Sequence, residues 1–228
     1  MFKNWGRGLE GVAEVCAIQL PGREGRFRES LLDTAEPLVE IIARLVVDSG
    51  DRRPYVFFGH SLGAALCLRV AHELNYLQAE GPVGLILSAR SPHVGSAGSI
   101  DPDRLDDDEL LARVRGFGGI SAAMLLNDGL MRSMIPRLRS DLRLSRQLER
   151  EQIELPPLAT PIAALGGRDD PVVTAAELKN WLHYTSNVLQ IRCFPGGHFF
   201  LRDESTLFAY LPEILRQFHV LTEYACAC

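Results

Sequence analysis

Cysteine is scarce and poorly placed to build structure. The five cysteines, Cys16, Cys67, Cys193, Cys226 and Cys228, are odd in number and scattered. No CxxC pair or Cys/His cluster occurs, which excludes a disulfide framework and a zinc site. Three of them, Cys16, Cys67 and Cys193, lie in apolar runs and are expected to be buried thiols. No apolar stretch approaches the length of a membrane span. The opening residues MFKNWGRGLE are too polar for a secretory signal. With free thiols, these absences point to a reducing cytoplasm and no membrane contact. Positive charge is not in excess either. The formal net charge of -5 argues against general nucleic-acid binding. Internal repeats and low-complexity segments are absent.

What is present is an ordinary globular composition, 46% hydrophobic and 23% charged, over 228 residues. That length suits a single domain, 1–228, with a sizeable core. Short apolar runs alternate with helical patterns. EVCAIQL (14–20), YVFF (55–58), VGLILSA (83–89), PIAALGG (161–167) and VLQIRCF (188–194) read as strands. Residues 34–47, 61–74 and 204–219 carry helical spacing. Continuous apolar strands imply burial on both faces, and alternation with helices implies a mostly parallel α/β sheet. Residues 101–152 contain no strand pattern, are rich in aspartate and arginine, and read as a helical insertion over one end of the sheet.

A serine flanked by glycines follows the YVFF run, in VFFGHSLGA (56–64). If a strand ends at Phe58 and a helix starts near Ser61, the chain reverses sharply between them. Gly59 and Gly63 would let strand and helix approach, and Ser61 would sit at the apex of a G-x-S-x-G nucleophile elbow. The plainer alternative is a serine N-cap between incidental glycines. In the elbow reading, the Leu62 amide at the helix N-terminus is placed to donate to an oxyanion. A serine hydroxyl needs a base, and the elbow predicts the chain order serine, acid, histidine. GGRDDPVV, after one later strand, offers Asp170, with Asp169 beside it; Pro171 rigidifies the turn after Asp170. PGGHFFL, after the last strand, offers His198. His60 and His72 read as structural.

These motifs together resemble the type II thioesterases of polyketide and nonribosomal peptide synthesis, relatives of the medium-chain fatty-acid-synthase thioesterase. LPGRE (20–24) with Arg26, FFGHSLGA, PRLRSD (136–141), GGRDDPVV with Trp181 following, and PGGHFFL each resemble a family segment, from about Trp5 to Leu215. The resemblance implies an α/β-hydrolase with a Ser61–Asp170–His198 triad. It implies hydrolysis of acyl thioesters on the phosphopantetheine arm of acyl or peptidyl carrier proteins, with no cofactor or metal of its own. It also implies that 101–152 is a lid. Met124, Leu125, Leu126, Met131 and Met134 could line an acyl pocket there or simply pack the lid. Arg139, Arg143, Arg146 and Arg150 share one helix face. That face could steer an acidic carrier, or could be a solvated face balanced by nearby carboxylates.

One departure stands out. In the family, a strand and glycine-rich loop precede the segment that FKNW (2–5) resembles, and supply the second oxyanion donor. Only Met1 precedes FKNW here. The expectation is a sheet whose first strand is missing, with either a gap beside YVFF or an unusual pairing that fills it, and poor activity and stability. Two other readings stay open: a small-molecule esterase on the same scaffold, and an N-terminally truncated, weakly active form that binds carrier proteins.

Overall fold

The computed structural model describes residues 2–92, 100–118 and 126–225. Four parallel strands form one sheet in the order β1-β2-β3-β4: β1 (Val56–His60), β2 (Gly84–Ser88), β3 (Ile162–Gly167) and β4 (Leu189–Phe194). His60 pairs with Ser88 and Ser88 with Leu165, so the strands finish together at one edge of the molecule. The two central strands are buried along their whole length, while β1 and β4 are only partly covered. This is the burial that continuous apolar runs in central strands predict.

Side chains alternate across the sheet. Ile86, Ala163 and Leu165 face one layer, built from α1 (Trp5–Gly8) and the last helix, Glu204–Ala225. Leu85, Leu87, Ile162 and Ala164 face the other, built from α3 (Leu62–Tyr76) and a 3-10 helix, Glu177–Tyr184. Outside α3 lies α2 (Ala35–Asp48), whose Leu38, Val39 and Ile42 pack on Leu66, Val70 and Leu74.

The helical segment between β2 and β3 supplies α4 (Asp107–Arg115), α5 (Asp128–Ser133) and α6 (Ile135–Gln152). The aspartate-rich start works as a cap. The Asp106 carboxylate accepts from the Glu109 amide at 2.9 Å, and Glu109 accepts from the Asp106 amide at 2.9 Å, a capping box. Leu110, Leu111, Val114, Met131 and Ile135 form the segment's own small core. The last helix is α7 (Glu204–Ala225).

The expected strand at 14–20 does not form. Residues 13–20 run without ladder partners, and Cys16 and Ile18 are exposed. A strand exists only through its neighbours' hydrogen bonds, and no described strand lies beside this segment. The expected burial of Cys16 fails for the same reason, whereas burial pushes the Cys67 thiol up to about 12. Among the described residues β1 is an edge strand, paired only with β2. Phe2 and Trp5 pack edge-on against its Phe58, with ring centroids 5.9 and 4.6 Å away. Cys226 and Cys228 lie outside the described residues.

Candidate active site

β1 ends at His60 and α3 begins at Leu62. The single residue between them, Ser61, takes φ 53° and ψ −113°. Positive φ is uncommon for a residue with a side chain and needs support from its surroundings. Here the Ser61 N–H donates to the Ser88 carbonyl at 2.8 Å, and the Ser61 carbonyl accepts from the Ala64 N–H at 3.0 Å. The Ser61 side chain makes no capping bond to α3, which removes the N-cap alternative. At Gly59 a Cβ would collide with the Gly63 carbonyl and the Ala64 amide. At Gly63 a Cβ would meet open space. Strand and helix therefore approach because Gly59 is bare, and Gly63 contributes its backbone rather than a missing side chain. Leu62 opens α3, so its amide has no acceptor within the helix.

The acid and histidine loops leave the ends of β3 and β4. They touch through backbone. A Cβ on Gly167 would strike the Gly196 and Gly197 carbonyls. Arg168 N–H donates to the Phe194 carbonyl at 2.8 Å and Asp169 N–H to that of Gly196 at 3.0 Å. Asp169 thus contributes its amide while its side chain stays outside. Asp170 turns inward, 8% exposed, and accepts from the Val172 and Val173 amides at 2.8 and 3.2 Å. His198 is 4% exposed, and its Nδ1 lies 3.0 Å from Asp170 Oδ2 and 3.2 Å from Oδ1. Of the two adjacent aspartates, the structure brings Asp170 to the imidazole.

Ser61, Leu62, His60 and His198 line one cavity of about 330 Å³. The His60 ring sits 5.2 Å from that of His198, and its Nδ1 is 3.0 Å from Ser88 Oγ. Burial first, then the neighbouring His198, pushes the His60 pKa down to about 3, so this ring stays neutral near pH 7. Phe117 and Phe199 flank His198, with centroids 6.0 and 5.1 Å away. His72 lies elsewhere, in a surface hollow of about 410 Å³ with Arg69, Glu73 and Tyr76.

The helical segment forms the cavity's remaining walls, but not through the expected methionines. Met131 is buried in the segment's own core, Leu126 is 89% exposed, and Met134 is not among the lining residues. Met124 and Leu125 lie outside the described residues. Ile100, Val114, Phe117, Leu138 and Leu142 line the cavity instead. The arginine face is also not free. Arg146 pairs with Asp101 at 2.5 Å, Arg143 with Asp103 at 2.7 Å, and Arg139 with Asp107 at 2.8 Å. The carboxylates just upstream hold these three cations, as the charge-balanced reading of this face expects.

Two groups escaped the sequence reading. Arg23 of LPGRE pairs with Asp141 of PRLRSD, and its other amino group donates to the Pro21 carbonyl at 2.7 Å. The two motifs thus form one contact, fastening α6 to the core. Arg90, two residues past β2, lines the cavity and donates to Ser145 of α6 at 2.5 Å. Its only signal in the sequence was a charged residue directly after the apolar run VGLILSA.

A serine at a strand–turn–helix elbow, on a parallel sheet flanked by helices, places the chain among the α/β-hydrolases. A family model of the thioesterase domain matches residues 1–220. The thioesterase PikA5 of Streptomyces venezuelae is 33% identical over 208 residues, covering 89% of this chain and 71% of its own length. The gramicidin S biosynthesis protein GrsT of Aneurinibacillus migulanus is 32% identical over 201 residues, covering 88% and 77%. Among solved structures, the RedJ thioesterase of the prodiginine pathway of Streptomyces coelicolor superposes with a TM-score of 0.83 at 34% identity, over 93% of this chain and 79% of that one. The chain belongs to the thioesterase family, within the group of type II thioesterases and the medium-chain fatty-acid-synthase thioesterase, and is a thioester hydrolase.

Proposed function

We propose that the protein cleaves acyl thioesters from the phosphopantetheine arm of acyl or peptidyl carrier proteins in polyketide or nonribosomal peptide synthesis, through an acyl-enzyme on Ser61. The observation that supports this most is that Ser61 shares one cavity with His198, whose Nδ1 lies 3.0 Å from Asp170. With Nδ1–H directed to the carboxylate, Nε2 is left as the base. Ser61 Oγ attacks the thioester carbonyl carbon and its proton passes to His198 Nε2. Asp170 stabilises the imidazolium so formed. The carbonyl oxygen becomes an oxyanion facing the Leu62 N–H. Collapse breaks the C–S bond, and His198 returns the proton to the leaving sulfur, releasing the arm as a thiol. Water then attacks the acyl-serine, giving its proton to His198 and, through it, to Ser61 Oγ. The products are a free acid, a carrier thiol and the starting enzyme. The arm enters as part of the substrate, and the chain's own residues carry each step without a resident cofactor.

Ser61→Ala is expected to lower thioester hydrolysis by about 10⁴- to 10⁶-fold, and a fluorophosphonate probe is expected to label Ser61 in the intact chain. Labelling at another residue, or an alanine variant with full activity, would overturn the assignment.

A further inference from the structure

The cavity beside Ser61 has two unlike walls. One is apolar, with Ile100, Val114, Phe117, Leu142 and Val172. The other is polar, made by Arg90 two residues past β2 and by Asp141, Ser145, Arg146 and Glu149 of α6; Asp141 and Arg146 are already paired, with Arg23 and Asp101. Residues four apart on a helix share a face, so 145 and 149 present one polar stripe toward the guanidinium. A hydrocarbon chain gains nothing from such a wall, and burying a cation is costly unless its donors are used. Ser145 uses two of the five N–H groups of Arg90, through Oγ at 2.5 Å and its carbonyl at 3.1 Å. The Nε–H is buried with no partner among the described residues. Burial, the larger influence, disfavours the Arg90 cation, and Glu149, 5% exposed, acts on the same guanidinium in the opposite sense. One cation thus faces one carboxylate on this wall, and the Nε–H donor remains unspent. That combination suits a neutral oxygen acceptor better than a further carboxylate. Its location is also defined. Ser88 pairs with His60 across the sheet, so Arg90 emerges beside the elbow rather than at the far end of the cavity.

Resting on the thioester-hydrolase reading of Ser61, we propose that the cavity selects acyl groups carrying an uncharged acceptor oxygen, a hydroxyl or keto group close to the thioester, and that Arg90 recognises that oxygen by donating to it.

The test compares kcat/KM for 3-hydroxybutanoyl and butanoyl thioesters of N-acetylcysteamine, in the full chain and in Arg90→Met. The native chain is expected to favour the hydroxylated substrate by about tenfold, the worth of one hydrogen bond from a charged donor. In Arg90→Met the ratio is expected to fall to near one. Because Arg90 also braces α6 through Ser145, Arg90→Lys is measured beside it. Lysine keeps the charge and loses the planar fork, and its ratio is expected to drop at least about threefold. A purely bracing role would slow both substrates and leave the ratio unchanged. That result, or a native ratio near one, overturns the proposal. Failure to hydrolyse either thioester would overturn the reading of Ser61 itself, whereas turnover without preference sinks only the role of Arg90.

Discussion

The tip of the sheet and the helical segment above it are held in different ways. At the tip, backbone holds backbone. The Ser61 amide bonds to Ser88, the Asp169 amide to Gly196, and Gly167 lies flat against Gly196 and Gly197. In the segment, apolar packing through Leu110, Met131, Leu144 and Leu148 is joined by charged side chains that hold one another and the core: Arg146 with Asp101, Arg143 with Asp103, and Arg23 with Asp141. Backbone hydrogen bonds between buried peptide groups are little screened by salt. Long charged side chains have many conformations to lose on being fixed, and their exposed pairs weaken in salt. The candidate reacting groups thus rest on backbone contacts, and the cavity wall rests on apolar packing reinforced by salt-sensitive ion pairs.

The sharpest way to break this comparison lies between two neighbours at the tip. Asp170→Asn is expected to lower kcat by about 10³- to 10⁴-fold, while Asp169→Asn, whose side chain stays outside, is expected to have a small effect. Steady-state kinetics of the two variants checks this, and the reverse ranking would move the acid to Asp169. Next comes the elbow. Gly59→Ala forces a methyl group into the Gly63 carbonyl and is expected to destabilise the fold by about 2–4 kcal/mol. Gly63→Ala meets open space inside a helix and is expected to leave stability unchanged or raise it by up to about 1 kcal/mol. Urea denaturation of both variants measures the gap, and equal losses would mean that the approach of strand to helix depends on both glycines.

Acid separates the two regions by pH. His60 has a folded pKa of about 3 against an ordinary 6.5. The unfolded chain therefore binds its proton first. Stability tied to the neutral ring is full above pH 6.5 and falls as pH drops toward 3, by up to about 1.4 kcal/mol per pH unit. His72, pushed down to about 4 by burial and Arg69, acts in the same sense. In the helical segment, hydrogen bonding to Arg143 lowers the Asp103 pKa below 3.8. Its contribution is present above 3.8 and is lost only as pH falls through its lower folded value. Melting temperatures from pH 7 to 4 should therefore decline less steeply in His60→Asn than in the native chain, and an unchanged slope would contradict the assignment. The smallest effect belongs to the paired arginines. Reversing charge at Arg143 and Arg146, the second of which lines the cavity, breaks partly exposed ion pairs worth about 1 kcal/mol each. It is expected to lower kcat/KM for carrier-bound and small thioesters by the same factor. A loss confined to the carrier-bound substrate would favour a docking role.

Much of the fold was legible because its signals are local. VFFGHSLGA, GGRDDPVV and PGGHFFL each join a strand to the turn that follows it, and the glycines in them mark real backbone approaches at Gly59, Gly167 and Gly197. Asp170 was separable from Asp169 because a proline follows it. The misses depend on partners distant in sequence. EVCAIQL has the composition of a strand, yet no described strand lies alongside to pair with it. The arginine stripe of α6 was visible as periodicity, but not the fact that Asp101, Asp103 and Asp107 fold back onto it. Arg23 and Asp141 are 118 residues apart, and nothing in either motif names the other. Arg90 looked like an ordinary residue after a strand until α6 was laid over it.

The two tryptophans stand at opposite flanks of this arrangement. Trp5 packs on Phe58 of the edge strand. Trp181 is fully buried, and its indole N–H donates to the Arg90 carbonyl at 2.8 Å. The protein thus carries two built-in fluorophores that see different events. Trp181 is joined, through one hydrogen bond to the main chain, to the residue proposed to read the acyl oxygen. The emission of Trp5 registers the integrity of the sheet's outer strand. With Trp5→Phe as background, a change in Trp181 emission on filling the cavity is the expected readout of strain passed through the Arg90 backbone.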